Sequence, residues 1–281
     1  MRLKPRFLLV LAGSFWLAQA VLAADRFPPL LYAAEGAQKI LRYDSEGQVV
    51  WEYPAEMARD VWALPNQNVL FCFNRDYNSA KHDNPSGVLE VTPDKKVVFA
   101  FWTTGQVWSC QRLADGNTLV GAASQGKLLI VNPQAKVNKS ISVLNPPGHS
   151  CMRNARQIAG GHFLVAEESA HAVREYDTDG KLVREIKLSF APFSVVRLEN
   201  SNTVICGQQT LVEVDPAGKI LRSVDGKDLP DLGIRWFAGL QVLPNGNFFV
   251  CNAGGKVPFL ELAPDKRVLW QSPSTLPVPL G

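Results

Sequence analysis

Four residues in the middle of the chain have the types that acid–base chemistry needs: His149, Arg153, Glu168 and His171. Imidazole changes charge near neutral pH, and a histidine beside a carboxylate is the pair used in general acid–base and nucleophilic catalysis. His149 follows Asn145-Pro146-Pro147-Gly148, and His171 follows Glu167-Glu168 across a short loop. His149 is the better candidate for base or nucleophile, with Arg153, Glu168 and His171 as its expected partners. A second set has the chemistry of ligand binding: Arg59, Asp60, Arg75, Trp108, Arg235 and Trp236. Guanidinium forks converging on one opening favour a carboxylate, sulfate or phosphate held in a bidentate way. Trp108 and Trp236 offer flat faces for a planar or sugar-like ligand. Each arginine has an alternative role, pairing with an acidic neighbour such as Asp60 or Glu167 and pinning structure together. Trp51, Trp62 and Trp270 are read as packing, and His162 and His82 as solvated loop residues. No CxxC pair, Gly-rich phosphate loop or GxSxG elbow occurs, so no metal or cofactor is expected.

Residues so far apart in sequence form a site only if the fold gathers them, and internal repeats indicate how. One motif is an apolar residue, Asp or Asn, a turn and an apolar run. It occurs six times, as in Tyr43-Asp44-Ser45-Glu46-Gly47-Gln48-Val49-Val50-Trp51, Val91-Thr92-Pro93-Asp94, Val131-Asn132-Pro133-Gln134, Tyr176-Asp177-Thr178-Asp179-Gly180, Val214-Asp215-Pro216-Ala217-Gly218 and Leu262-Ala263-Pro264-Asp265. A second motif lies between these copies. It occurs five times, beginning at Leu64-Pro65-Asn66, Leu113-Ala114-Asp115, Ile158-Ala159-Gly160, Leu198-Glu199-Asn200 and Leu243-Pro244-Asn245. Both motifs read as β-hairpins with Pro, Asn, Asp and Gly at the turns. Two hairpins every ~45 residues make a four-stranded unit with the period of a propeller blade. The sequence predicts an all-β, six-bladed propeller with one blade split between the termini. Residues 30–53 would supply three strands, and the C-terminal stretch, with Pro273, Pro277 and Pro279, a short or irregular fourth. Five blades plus a half-closed sheet is the alternative.

In this geometry the loops that enter the innermost strands, and those joining second to third strands, collect on one face. The first group carries Arg59-Asp60, Trp108, His149, Arg153, Phe193, Arg235 and Trp236. The second carries Asn74-Arg75-Asp76-Tyr77, His82, Glu167-Glu168, His171, Gln208-Gln209 and Asn252.

The 281 residues are 46% hydrophobic and 20% charged, a globular composition. A net charge of +3 without a basic stripe argues against a nucleic-acid partner. Arg2, Lys4 and Arg6 precede an apolar stretch and the small-residue site Val21-Leu22-Ala23. Residues 1–23 therefore read as a signal peptide and 24–281 as a single propeller domain, periplasmic or secreted and monomeric, with no membrane span. The cysteines Cys72, Cys206 and Cys251 sit at matching repeat positions in apolar runs and are read as small buried hydrophobes.

These units resemble the PQQ-like and arylsulfotransferase-like β-propeller repeats of exported bacterial proteins. The resemblance is carried by Cys110-Gln111-Arg112-Leu113-Ala114-Asp115-Gly116-Asn117-Thr118-Leu119, by Val173-Arg174-Glu175-Tyr176-Asp177-Thr178-Asp179-Gly180-Lys181 and by Gly239-Leu240-Gln241-Val242-Leu243-Pro244-Asn245-Gly246-Asn247. It implies the fold and leaves the activity open, since such propellers host lyases, lactonases, sulfotransferases and binding scaffolds. The quinone-binding members have eight blades and a vicinal cysteine pair, which this chain lacks. In the sulfotransferases a histidine in the funnel is the nucleophile, and no motif here fixes which one would correspond. In lactonase-type propellers a calcium site uses Glu, Asn and Asp from separate blades, which Glu168, Asn252 and Asp60 could mimic. The expected function is binding of a small anionic ligand or a protein partner at the channel face. The alternative is a lyase, hydrolase or sulfotransferase using the same funnel.

Overall fold

The computed structural model describes residues 27–75 and 85–279. The signal-peptide expectation falls on residues outside this range, as do Asp76, Tyr77 and His82.

The repeats fold as six antiparallel sheets in chain order. Blade 1 holds β1 (Leu30–Ala34), β2 (Lys39–Tyr43) and β3 (Val49–Pro54). Blade 2 holds β4 (Val61–Ala63), β5 (Val69–Phe73), β6 (Pro85–Val91) and β7 (Val97–Thr104). Blade 3 holds β8 (Val107–Arg112), β9 (Thr118–Ala122), β10 (Lys127–Val131) and β11 (Val137–Ser142). Blade 4 holds β12 (Asn154–Gln157), β13 (Phe163–Glu167), β14 (Ala172–Tyr176) and β15 (Leu182–Lys187). Blade 5 holds β16 (Ser194–Arg197), β17 (Thr203–Gly207), β18 (Thr210–Val214) and β19 (Ile220–Asp225). Blade 6 holds β20 (Trp236–Val242), β21 (Phe248–Ala253), β22 (Phe259–Leu262) and β23 (Val268–Gln271). Blades 2 to 6 are four-stranded. Blade 1 is a three-stranded sheet that the C-terminal segment meets in one bridge, Ala34 to Pro279, with Gly36 N–H donating to Val278 O at 3.4 Å.

The repeated Asp or Asn of the outer hairpins has a local purpose. Asp44 Oδ1 accepts from the N–H groups of Glu46 and Gln48, Asn132 Oδ1 from Gln134 and Lys136, and Asp177 Oδ1 from Asp179 and Lys181. Each carboxylate or amide replaces the ladder at the turn. The fourth turn position takes a positive φ, supplied by Gly47, Gly180 and Gly218. Lys95, Ala135 and Lys266 are forced into the same region at φ 66°, 58° and 75°.

Because strand side chains alternate, each blade has two apolar faces, and every interface between neighbouring blades has its own buried cluster. Val107 and Cys110 pack on Leu70 and Val88 between blades 2 and 3. Met152 and Phe163 pack on Leu119 and Leu128 between blades 3 and 4. The ring closes where Leu30 and Tyr32 of blade 1 meet Cys251 and Phe259 of blade 6. All five cysteines are buried and free, packed as small apolar groups. Polar staples reinforce the seams. Arg112 reaches back to Glu90 of the preceding blade at 2.6 Å, and Arg197 to Glu175 at 2.7 Å. His162, read as a solvated turn residue, in fact contacts Glu175 at 2.9 Å, where Asn68 and Asn247 in other blades donate to Glu90 and Glu261.

Candidate functional site

The innermost strands surround a central channel of about 1160 Å³. Period-two alternation turns every second residue of these strands toward it. The residue two places before the hairpin apolar residue lines the channel in each of blades 2 to 6: Trp62, Gln111, Arg156, Val196 and Gln241.

At mid-depth Arg156 of blade 4 reaches Asp60 of blade 2. Its Nη1 donates to Oδ2 at 2.7 Å and its Nη2 to Oδ1 at 2.9 Å. Asp60 also accepts the Cys110 N–H of blade 3 at 3.0 Å, and the Arg156 guanidinium lies 4.9 Å from the Trp62 ring centroid. Asp60, expected among the ligand-binding groups, is thus engaged in a bidentate pair that ties three blades together.

Above this clamp lies the mouth, built by loops from all six blades. His149 and Arg153 enter blade 4, with Glu168 at the end of β13 beside them. Arg153 Nε donates to Glu168 Oε2 at 2.5 Å, and its Nη2 lies 2.8 Å from His149 Nε2. A guanidinium only donates, so His149 Nε2 accepts. The imidazole proton is then on Nδ1, which faces Gln106 Oε1 at 3.2 Å. His149 is thereby held as one tautomer by blades 3 and 4. The Trp108 indole N–H donates to the His149 carbonyl at 2.9 Å, and the two rings meet edge to face at 5.4 Å. Trp108 has two cationic neighbours, Arg59 at 4.8 Å and Arg153 at 5.2 Å from its ring centroid. Arg59 in turn pairs with Glu35 of blade 1 at 2.9 Å. Phe193 contacts Arg153 at 5.6 Å and meets Trp236 edge to face at 6.2 Å.

The structure therefore brings together His149, Arg153, Glu168, Trp108, Arg59 and Trp236. Trp236 is 46% exposed at the rim. Arg235 is exposed beside it, 5.7 Å from its ring, and has no carboxylate partner among the described residues. Two expected members lie elsewhere. His171 is exposed in the tight turn after β13, its N–H donating to Glu168 O, and it does not line the channel. His171 takes φ 50° in this turn. Arg75 is also outside the channel, exposed near Trp102 and Phe73 at 5.5 and 5.7 Å.

Adjacent glutamates take opposite fates. Glu168 faces the mouth. Glu167 points between the blades, fully buried, and accepts from Arg174 and Tyr176 at 2.5 Å each. Burial pushes its carboxyl above the ordinary glutamate range, against the pull of those two donors. Asn252, suggested as a calcium ligand, is buried and accepts the Arg235 N–H while donating to Val257 O. Gln208 and Gln209 likewise serve backbone groups of Ala191 and Ile234. Among the described residues no group of three or more His, Cys, Asp or Glu is arranged to hold a metal ion. Arg156, Gln106 and Glu35 were missed in sequence. The channel-facing period of the inner strands would have found Arg156, and Glu35 opens the turn after β1 at the position that Glu168 holds after β13, whereas Gln106 carries no repeat signal.

Comparison with known proteins supports the fold. A protein of unknown function from Bacteroides caccae is similar, at 25% identity and TM-score 0.73, over 86% of this chain and 92% of that one. A catalytically inactive histidine-to-alanine variant of virginiamycin B lyase from Staphylococcus aureus, solved with quinupristin, matches at 11% identity and TM-score 0.61, over 85% and 78%. The WD40 propeller domain of Doa1 matches at 14% identity and TM-score 0.55, over 81% and 86%. No family model and no curated protein matches. No helix of the described residues is long and apolar enough to cross a membrane.

Proposed function

We propose that this chain is an exported six-bladed propeller that binds a small anionic ligand with a flat body at its channel mouth. The observation that carries the reading is the state of Arg153. Its Nε and Nη2 are committed to Glu168 and His149, while Nη1 has no partner among the described residues. It stands between the rings of Trp108 and Phe193. A carboxylate or sulfate taking Nη1, with help from Arg235 at the rim, would place its body against Phe193 and Trp236. Residues 1–23 are the signal peptide in this reading, and the C-terminal segment completes blade 1, a closure that the Ala34–Pro279 bridge supports.

Thermal shift and calorimetric titration with indole acetate, benzoate and phenyl sulfate test it. Saturable binding that weakens at least about tenfold in Arg153→Ala is expected, with quenching of the exposed Trp236. Absence of binding by all three anions, or an unaffected Arg153→Ala, refutes it.

A second reading is enzymatic, favoured by the fixed tautomer of His149 beside Glu168 and by the histidine dependence of the lyase named above. It requires the ligand to draw Arg153 off His149 Nε2, freeing that lone pair as a base. His149→Ala would then abolish turnover while ligand binding and folding survive. Turnover that persists in His149→Ala removes the histidine from the role.

A further inference from the structure

The inner strands of blades 2, 4 and 5 each begin with a bulge, in which two residues face one on the next strand. Arg59 and Asp60 face Cys72, Arg153 and Asn154 face Ala166, and Phe193 and Ser194 face Cys206. All six line the channel. The first member of each pair belongs to the mouth, as described above for Arg59, Arg153 and Phe193. The second members, Asp60, Asn154 and Ser194, form a deeper level, two residues before the ring of Trp62, Arg156 and Val196. At the equivalent repeat position blade 6 has Gly239, which offers no side chain, and blade 3 has Ser109, which is fully buried and outside the channel lining.

Asp60 is taken up by Arg156 and the Cys110 N–H. Asn154 and Ser194, in neighbouring blades, are not taken up by anything. Asn154 is 6% exposed, and its side chain has no hydrogen-bond partner among the described residues. Its Oδ1 is sealed off, so Nδ2 is the end that meets the channel. Ser194 is 4% exposed, and its hydroxyl also has no partner among the described residues, but it is not sealed. The other buried amides differ. Asn74 donates to Val107 O, Asn145 to Cys151 O and Asn252 to Val257 O, so each serves the backbone. A polar group kept from water without a partner is unfavourable. Two of them side by side on a channel wall, with no structural duty, are accounted for by a ligand group that pairs with both.

The chemistry of that group follows from the pair. A ligand hydroxyl can accept the Asn154 N–H and donate its own proton to Ser194 Oγ. Turning the amide over leaves the match intact, because a hydroxyl also donates to an amide oxygen, which a carbonyl cannot do. Arg153 carries its guanidinium away from the strand to Glu168 and His149, whereas the short side chains of Asn154 and Ser194 keep their polar atoms beside it. The anion and the hydroxyl therefore belong at opposite ends of the ligand, with the Phe193 ring alongside its body. We infer that Asn154 and Ser194 are a second recognition point in the channel, and that the ligand class is a hydroxyaryl acid with its hydroxyl remote from the acid group. This deepens the mouth reading and rests on it for the anion, while the hydroxyl contact rests on Asn154 and Ser194 alone.

The test is calorimetric titration of the full chain with benzoate, 4-hydroxybenzoate and the neutral 4-hydroxybenzamide. 4-Hydroxybenzoate should bind about tenfold tighter than benzoate, one hydrogen bond's worth. Asn154→Ala and Ser194→Ala should each cut that ratio at least about threefold and leave benzoate within about twofold. Ser194→Ala removes a single oxygen, so it keeps the inference testable even if Asn154→Ala does not fold. Arg153→Ala should weaken both acids alike, preserving their ratio, and leave 4-hydroxybenzamide unchanged. A wild-type ratio near one, or a ratio undiminished in both variants, overturns the inference; benzoate binding that is still lost in Arg153→Ala then leaves the mouth reading standing. 4-Hydroxybenzamide binding that is lost in Ser194→Ala, with neither acid responding to Arg153→Ala, supports the hydroxyl contact and counts against the mouth reading alone. Absence of binding by all three overturns both.

Discussion

Removing the guanidinium that bridges the channel should loosen three blades at once. Arg156→Met leaves the Asp60 carboxylate with the Cys110 N–H as its remaining donor. Breaking one side of a fully buried pair costs about 3–5 kcal/mol. Here the side chains are 19% and 11% exposed to the channel, so water takes up part of the loss and about 2 kcal/mol is the expected effect. For a domain of this length that lowers Tm by about 4–8 °C. Arg156→Lys keeps the charge but loses the fork and the flat contact with Trp62, and should cost roughly 1 kcal/mol. Asp60→Asn alone should destabilise by about 1–2 kcal/mol. The double variant should fall short of the sum of the single effects by at least about 1 kcal/mol. Urea unfolding of the four proteins gives this coupling directly. A coupling below about 0.5 kcal/mol would mean that the contact is solvent-screened and that the cross-channel clamp does not hold the ring.

The other expectations are shorter. Gly207→Ala would place a Cβ 2.0 Å from the Ala191 carbonyl oxygen, and should cost about 2–4 kcal/mol in denaturant melts; a neutral result would show that the strand can shift freely. Ala135→Gly and Lys266→Gly relieve positive φ in outer turns and should each stabilise by about 0.5–1 kcal/mol, read by calorimetry. Glu167 has a raised carboxyl pKa in the folded state, so its ionisation destabilises the fold as pH rises through that raised value, and protonation relieves this at lower pH. Relative to Glu167→Gln, the wild type should therefore gain stability as pH falls toward the ordinary glutamate range, and a slope of the opposite sign would show that Arg174 and Tyr176 outweigh burial. Arg75→Ala and His171→Ala should leave anion binding at the mouth unchanged within twofold or so, as titrations against Arg153→Ala would show.

The strands of blade 1 were legible to within a residue, because turn chemistry is local. An Asp or Asn whose side chain replaces ladder bonds must stand at a fixed offset from the apolar run, and Asp44, Asn132 and Asp177 do. The gathering of His149, Arg153 and Glu168 was also readable, since inner-strand loops share one face. What a repeat does not encode is the direction of a side chain beyond the last strand residue. Glu167 and Glu168 differ by one position on an alternating strand, and one of them is lost to the interior. His171 follows in the same loop and does not line the channel. Asp60 looked available because its partner, Arg156, lies two blades further along the chain and becomes its neighbour only across the axis.

Five of the six joints in the ring are continuous in the chain, and the sixth is a grease seal. Between blades 1 and 6 the contact is side chains such as Leu30, Tyr32, Cys251 and Phe259, with the backbone of the C-terminal segment touching blade 1 at Ala34 and Gly36. A force applied to the two ends of the described chain loads that joint first. Pulled this way, the disc should unroll from the seam, shedding blades one after another in a staircase of small steps rather than rupturing in one event.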